Sequence, residues 1–274
     1  LLYKCFLDQF IYFLSLPLTI QKIMDAFDYY KNKFIPLILP SFIIIIWYLV
    51  TSVFHLFPEY ALPSPIDVCI SAVKLIESGQ LIKDTVDTLF KVFVGMAIAA
   101  VVAIPLGILL GAYNQLENIC SFVISILRPI PPIAWIPFSI LWFGIGIVPA
   151  VFIIFMGCVF PILIYTIDGV KRTDKVLIEA AKTLGASDRD VLSKVILPSS
   201  LPYVISGLKV GVGIALMCTI SAEMIGSSSG LGYMILIASN LFDSVMTVFG
   251  MIVIGIIGLV LDYIFKRFQK NIFW

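Results

Sequence analysis

Histidine occurs once in this 274-residue chain, and charged residues make up only 13% of it. The five cysteines stand singly at Cys5, Cys69, Cys120, Cys158 and Cys218, with no CxxC pair. No G-x-x-x-x-G-K-[ST] stretch occurs anywhere. Each scarcity excludes something. A lone His55 and scattered thiols supply neither a metal-ligand set nor a disulfide framework, so the cysteines read as small buried apolar residues. No nucleophile–base constellation stands out, which argues against a membrane-embedded enzyme and leaves no catalytic residue to name. Without a phosphate-cradling loop, the chain holds no nucleotide by that device. A net charge of +1 gives no general pull toward nucleic acid.

What is abundant is hydrocarbon. The chain is 61% hydrophobic, with a mean hydropathy of +1.09. Runs of about 20 apolar residues suffice to cross a membrane. Spans are expected near 36–54, 88–112, 119–143, 147–167, 203–225 and 245–265. The expected fold is therefore all-α and polytopic, with about six transmembrane helices. Residues 1–35 mix charge and apolar residues around Pro17 and read as an interfacial, cytoplasmic segment ahead of a membrane domain over 36–274. Residues 55–87 read as an aqueous or interfacial helix. Gly107 and Gly111 form a small-xxx-small pair on the second span, where Pro105 invites a kink.

Lysine and arginine set the orientation. Lys4, Lys22, Lys31 and Lys33 lie at the start, and Lys266, Arg267 and Lys270 at the end. Lys171, Arg172, Lys175, Lys182, Arg189 and Lys194 crowd the loop between the fourth and fifth spans. The opposite loops hold only Lys74 and Lys83, with Lys91 just inside the second span. Both termini and the basic loop are expected on the cytoplasmic side.

That loop reads as a hairpin of two helices. Leu177, Ala181 and Leu184 recur on one stripe, and Gly185 follows as a helix-ending residue. Ser187 and Asp190 have the spacing of a capping box for a second helix, whose Val191, Leu192 and Val195 share a face. Pro198 and Pro202 are expected to stop it before the fifth span.

The third span is interrupted by RPIPPIAWIP, residues 128–137. Prolines at membrane depth leave carbonyls that need water or protein partners, so Pro131 and Pro132 are candidates for the border of a polar passage. Arg128 beside them, Lys209 and Glu223 are intramembrane charges of the kind that mark function. Lys209 is placed to snorkel to the cytoplasmic surface. For Glu223, a hydrogen bond to the GSSSGLG loop stands against a role in an outer gate. Trp135 is a candidate for lining the passage, while Trp142 reads as an interface anchor. Gly207, Gly211 and Gly213 suit close packing of the fifth span, against a second copy or along the passage.

The hairpin sequence EAAKTLGASDRDVLSKVILPSSLP, at 179–202, resembles the EAA motif of inner-membrane permease subunits of bacterial ABC importers. LPSP at 62–65, IPLGILLG at 104–111, PILIYTIDGVKR at 161–172, AEMIGSSSGLGYMI at 222–235 and GLVLDYIFKR at 258–267 extend the resemblance to the nitrate, sulfonate and bicarbonate (taurine-type) branch. The resemblance implies a type I ABC importer permease fold with a cytoplasmic coupling hairpin at about 171–202. It implies that Glu179, Ala180, Ala181, Gly185, Ala186, Leu197 and Pro198 meet a separate ATPase, which carries ATP and Mg. It also implies an extracytoplasmic substrate-binding protein, a second permease copy, and the bacterial inner membrane as the location. Arg128, Pro131, Pro132, Trp135, Gly211 and Glu223 are then the candidate pathway or gate residues. Nitrate, taurine or alkane sulfonates are the expected solutes, with a thiamine-precursor pyrimidine or another small organic as the alternative. An ion-driven secondary transporter is the competing class, but no internal repeat supports it.

Overall fold

The computed structural model describes residues 38–272. The expected interfacial segment at 1–35 lies outside them. The chain divides into two compact units that meet between Asp67 and Val68. All the secondary structure among the described residues is helical.

The first unit contains α1 (Ile38–Val53), which ends in a π-turn at Leu49–Val53. Trp47 donates its indole N–H to the Pro63 carbonyl at 2.9 Å, tying the following loop back to α1. A capping box at the end of this unit opens α2 (Pro65–Glu77), which belongs to the second unit from Val68 onward. The Ser64 hydroxyl accepts from the Asp67 N–H at 3.2 Å and donates to its carboxylate at 2.6 Å. Pro65 takes the first helical position, where a missing N–H costs nothing.

The second unit is built around α6 (Ile147–Lys171), which lies between α3 (Gln80–Ala112) and α9 (Leu197–Gly226). Small residues recur at every fourth position of α3: Gly95, Ala99, Ala103, Gly107 and Gly111. They bring its backbone onto α6. A Cβ added at Gly95, Gly107 or Gly111 would lie 2.6 Å from the Cβ of Ile154, Thr166 or Val170 respectively. The constant offset makes α3 and α6 parallel. On the other side of α6 the contacts run antiparallel, with Gly169 under Tyr203, Gly207 under Tyr165, and Gly157 under Cys218. Lipid is as apolar as these side chains, so close packing rather than water exclusion holds such helices together.

Four helices are individually long and apolar enough to cross a membrane: α3, α6, Asp188–Gly226 and Ser244–Arg267. The expected third span is instead a bent pair, α4 (Asn114–Leu127) and α5 (Ile136–Phe143), at 83° to one another. The expected first span corresponds to α1, described from Ile38 onward. Three short helices, α7 (Lys175–Thr183), α8 (Asp188–Val191) and α10 (Leu231–Asn240), complete the set with the last span, α11 (Ser244–Ile272).

Two expectations change. Pro198 and Pro202 do not stop the second hairpin helix. It passes from α8 through a π-turn at Leu192–Ile196 directly into α9. Pro198 sits in the first turn of α9, and the wider turn before it leaves room for the ring that would otherwise clash. The membrane helix α3 also begins at Gln80, eight residues ahead of the apolar run that announced it.

The seam predicts a contrast. Gly107→Val should cost about 1–3 kcal/mol by overpacking, read as an earlier thermal transition of the detergent-solubilised protein on size exclusion. Gly213→Ala should not, because no atom lies within 4 Å of its added Cβ. Equal transitions for the two variants would refute the seam.

Candidate functional site

Three features hold the residues singled out above. The first is the hairpin. Asp174 caps α7 by accepting from the Val176 N–H at 2.9 Å. Gly185, at φ +86°, ends it. The Gly185 N–H reaches the Lys182 carbonyl and the Ala186 N–H the Ala181 carbonyl, both at 3.0 Å, which is the paired closure of a glycine-ended helix. Ser187 then accepts from the Asp190 N–H at 3.2 Å, and its hydroxyl donates to the Asp190 carboxylate at 2.6 Å. Lys182 bridges the turn to Asp188 at 3.1 Å.

The face of the second helix behaves as its spacing predicts, with Val191 buried and Leu192 and Val195 half-buried. The stripe on the first does not pack on its own chain. Leu177 is 53% and Leu184 88% exposed, with Val176 exposed beside them. Glu179, Ala180, Gly185, Leu197 and Pro198 are exposed as well, and Ala181 and Ala186 are half-buried. The hairpin thus lifts an apolar crest, flanked by charge, away from the membrane helices.

The second feature is the break between α4 and α5. A 3-10 turn at Pro132–Trp135 joins them. The donors that the prolines leave stay engaged: Arg128 N–H to the Ile124 carbonyl at 2.9 Å, Ile130 to Leu127 at 3.2 Å, and Ala134 to Pro131 at 2.9 Å. Arg128 and Pro131 are exposed, whereas Pro132 is half-buried. Trp135 meets Phe152 edge-on at 6.4 Å, within a group of rings that includes Phe138, Trp142 and Phe143.

The third feature is a buried ionic cluster. Lys91 on α3 has no exposed side-chain surface. Its ammonium meets Glu223 at 3.0 Å, Asp87 at 2.8 Å, the Ser227 hydroxyl at 3.1 Å and the Ser229 carbonyl at 2.8 Å. Glu223, also fully buried, accepts in addition from the Thr88 hydroxyl at 3.0 Å and the Gly232 N–H at 2.9 Å. Thr88 in turn accepts from the Leu231 N–H at 2.9 Å, and Asp84 from the Gly230 N–H at 3.4 Å. Gly230 adopts φ +107°, and a Cβ there would fall onto the Glu223 carboxylate. The loop Ser227–Gly230 is therefore fastened to α3 at both its ends.

The cluster partners Glu223 with Lys91, whose place in the sequence marks only orientation, and adds Asp84, Asp87, Thr88 and Ser229, which the sequence alone did not single out. A signal was available. Asp84, Asp87 or Thr88, and Lys91 share one helical face, and a lysine in one span with a glutamate in another invites a pair. Lys209 lies 3.9 Å from Asp262 on α11 and is partly exposed. Gly211 is buried against Ile162, and its carbonyl accepts the Cys158 thiol. Among the described residues no group of three or more His, Cys, Asp or Glu is arranged to hold a metal.

Residues 103–273 match the family model of the binding-protein-dependent transport system inner membrane component. An ABC transporter permease protein of Methanocaldococcus jannaschii is 45% identical over 237 residues, covering 85% of this chain and 88% of that one. The taurine transport system permease protein of Escherichia coli is 32% identical over 185 residues, or 68% of this chain and 67% of the relative. Among solved structures, a chain of the inward-facing MetNI methionine ABC transporter shares the fold, with a TM-score of 0.65 at 21% identity. That match covers 72% of this chain and 98% of the other.

Removing one charge from the cluster should be severe. Lys91→Gln leaves Glu223 buried without its ammonium, at a cost of about 3–5 kcal/mol. The double change Lys91→Gln with Glu223→Gln should recover most of that loss, because two amides can pair. Thermal unfolding of the purified protein reads both, and strictly additive losses would refute the coupling.

Proposed function

The chain belongs to the binding-protein-dependent transport inner-membrane family, as the permease subunit of an ABC importer, and on that premise we propose a division of labour among its three features. ATP hydrolysis belongs to a separate subunit of such an importer. The hairpin at 171–202 is the contact for that ATPase, with Glu179, Ala180, Ala181, Gly185, Ala186, Leu197 and Pro198 at or beside the contact. The observation that carries this reading is the exposed crest of Val176, Leu177 and Leu184. Three large apolar side chains held in water on a rigidly capped hairpin mark a surface built for another protein. ATP and Mg would be held on that partner.

Two copies of the chain would enclose the passage, in a bacterial inner membrane. The break at Pro131 and Pro132 would border it, with Arg128 and Trp135 beside it, while Gly211 and Glu223, both buried within the chain, would act on it only through the packing of α9. An exposed guanidinium suits an anionic solute, which it can hold through paired hydrogen bonds. The relatives named for taurine, nitrate, aliphatic sulfonates and bicarbonate support a small anion as the cargo. An extracytoplasmic binding protein would deliver it. The bias of lysine and arginine puts both termini on the cytoplasmic side with the hairpin, and residues 36–274 would form one permease domain preceded by a cytoplasmic or interfacial segment.

Coupling is tested at the turn. Gly185 adopts φ +86°, which a β-branched residue does not tolerate. In liposomes holding the permease and its ATPase, Gly185→Val should abolish hydrolysis stimulated by the loaded binding protein, with the membrane helices still folded. Full stimulation would refute the assignment. Orientation is tested by single cysteines in a cysteine-free background. In intact spheroplasts an impermeant thiol reagent should label Glu77→Cys and spare Lys182→Cys, and the reverse pattern would invert the topology.

A further inference from the structure

The outer end of α3 carries an unexplained surface. Ile82, Val86 and Phe90 recur at every fourth position and are 60%, 60% and 55% exposed. Together with Lys83, Asp84, Asp87 and Ser229 they line an open cavity of about 470 Å³.

Lipid does not account for all of this stripe. A helix of 33 residues is about 50 Å long at 1.5 Å per residue. The hydrocarbon layer takes up about 30 Å of it. The other end of α3 is pinned, with Gly111 against Val170 and, just beyond, an ion pair at 2.6 Å between Lys171 and Glu117. Ile82 and Val86 therefore stand beyond the hydrocarbon on the outer side, where contiguous apolar surface marks a site of protein contact.

The chemistry around the stripe says what would fit. Asp87 gives one carboxylate oxygen to both Lys91 and Ser229. Its other oxygen accepts no hydrogen bond from any described residue. Asp84, Asp87 and Glu223 stand against Lys83 and Lys91, so one negative charge is in surplus. A small anion has no reason to enter. A lysine or arginine side chain does, since its methylene stem can lie along Ile82, Val86 and Phe90 while its head meets the free oxygen of Asp87.

We infer that the outer end of α3 and the Ser227–Gly230 loop form the docking pocket for a basic side chain of the extracytoplasmic binding protein. This rests on the reading that such a protein delivers the solute. The pocket shares Asp87 and Ser229 with the cluster that fastens the loop to α3, so a docked cation acts on the same carboxylate, through its other oxygen. Docking and the state of the loop are thereby linked through one carboxylate.

The test uses the complete transporter, with permease and ATPase in nanodiscs and the binding protein immobilised for interferometry. Wild-type affinity should fall as ionic strength rises. Val86→Lys sets a second cation at the pocket and should weaken binding by about tenfold or more. Ile82→Ser should weaken it by about threefold. Hydrolysis in the absence of binding protein reports that each variant is folded and assembled. Affinities of both variants within twofold of wild type would overturn the inference. So would a change in the number of permease copies per particle, which would assign the surface to a second copy. A wild-type transporter that fails to bind the protein at all overturns the delivery reading itself, and the pocket with it.

Discussion

The closeness of α3 to α6 is the constraint from which the rest of the second unit follows. Glycine and alanine at every fourth position leave no side chain between the two backbones, and Thr166 and Val170 rest directly on the opposing helix. With α9 drawn equally close on the far side of α6, the three helices fix where the remaining elements attach. The start of α3 and the end of α9 then stand near enough for Lys91 and Glu223 to meet. The end of α3 and the start of α9 flank the hairpin. A charged pair is costly inside a membrane unless partners are preset around it. Here the packing of small residues presets them.

The sequence spoke most clearly where the cause is local. Gly185 and Ser187 act on backbone groups within a few residues, so the hairpin was readable from spacing, and these two caps form as read, while the Asp174 cap was not singled out. The spans were equally plain, because crossing hydrocarbon needs only length and apolarity. What failed depended on a partner distant in the chain or on a departure from regular helix geometry. Lys91 looked like an orientation marker until Glu223 and Ser229 arrived from the other end of the molecule. Pro198 looked like a stop because a proline signal carries no hint that a π-turn precedes it. The stripe of Leu177 and Leu184 was legible as a face, but not as one left uncovered by the chain that bears it.

The broken span shows how a rule can hold by an unexpected route. Prolines at 131 and 132 did suggest carbonyls in search of partners. The turn meets most of that need itself, since Ala134, Ile130 and Ile136 all donate within it. The 83° bend is therefore a stable corner, and Arg128 is presented at its lip.

The π-turn at Leu192–Ile196 has a consequence of angular phase. It joins the hairpin to α9 in one continuous helix of 39 residues, Asp188–Gly226. A π-turn holds about one residue more than an α-turn, and one residue is worth about 100° of rotation. The bearing of the hairpin about the axis of α9 is thus set by that one surplus residue. Were the turn to relax to ordinary α-geometry, the helix would stay continuous while its cytoplasmic end swivelled through roughly a quarter of a circle. The π-turn thus sets the bearing of the exposed crest of Val176, Leu177 and Leu184 relative to the helix that reaches Glu223.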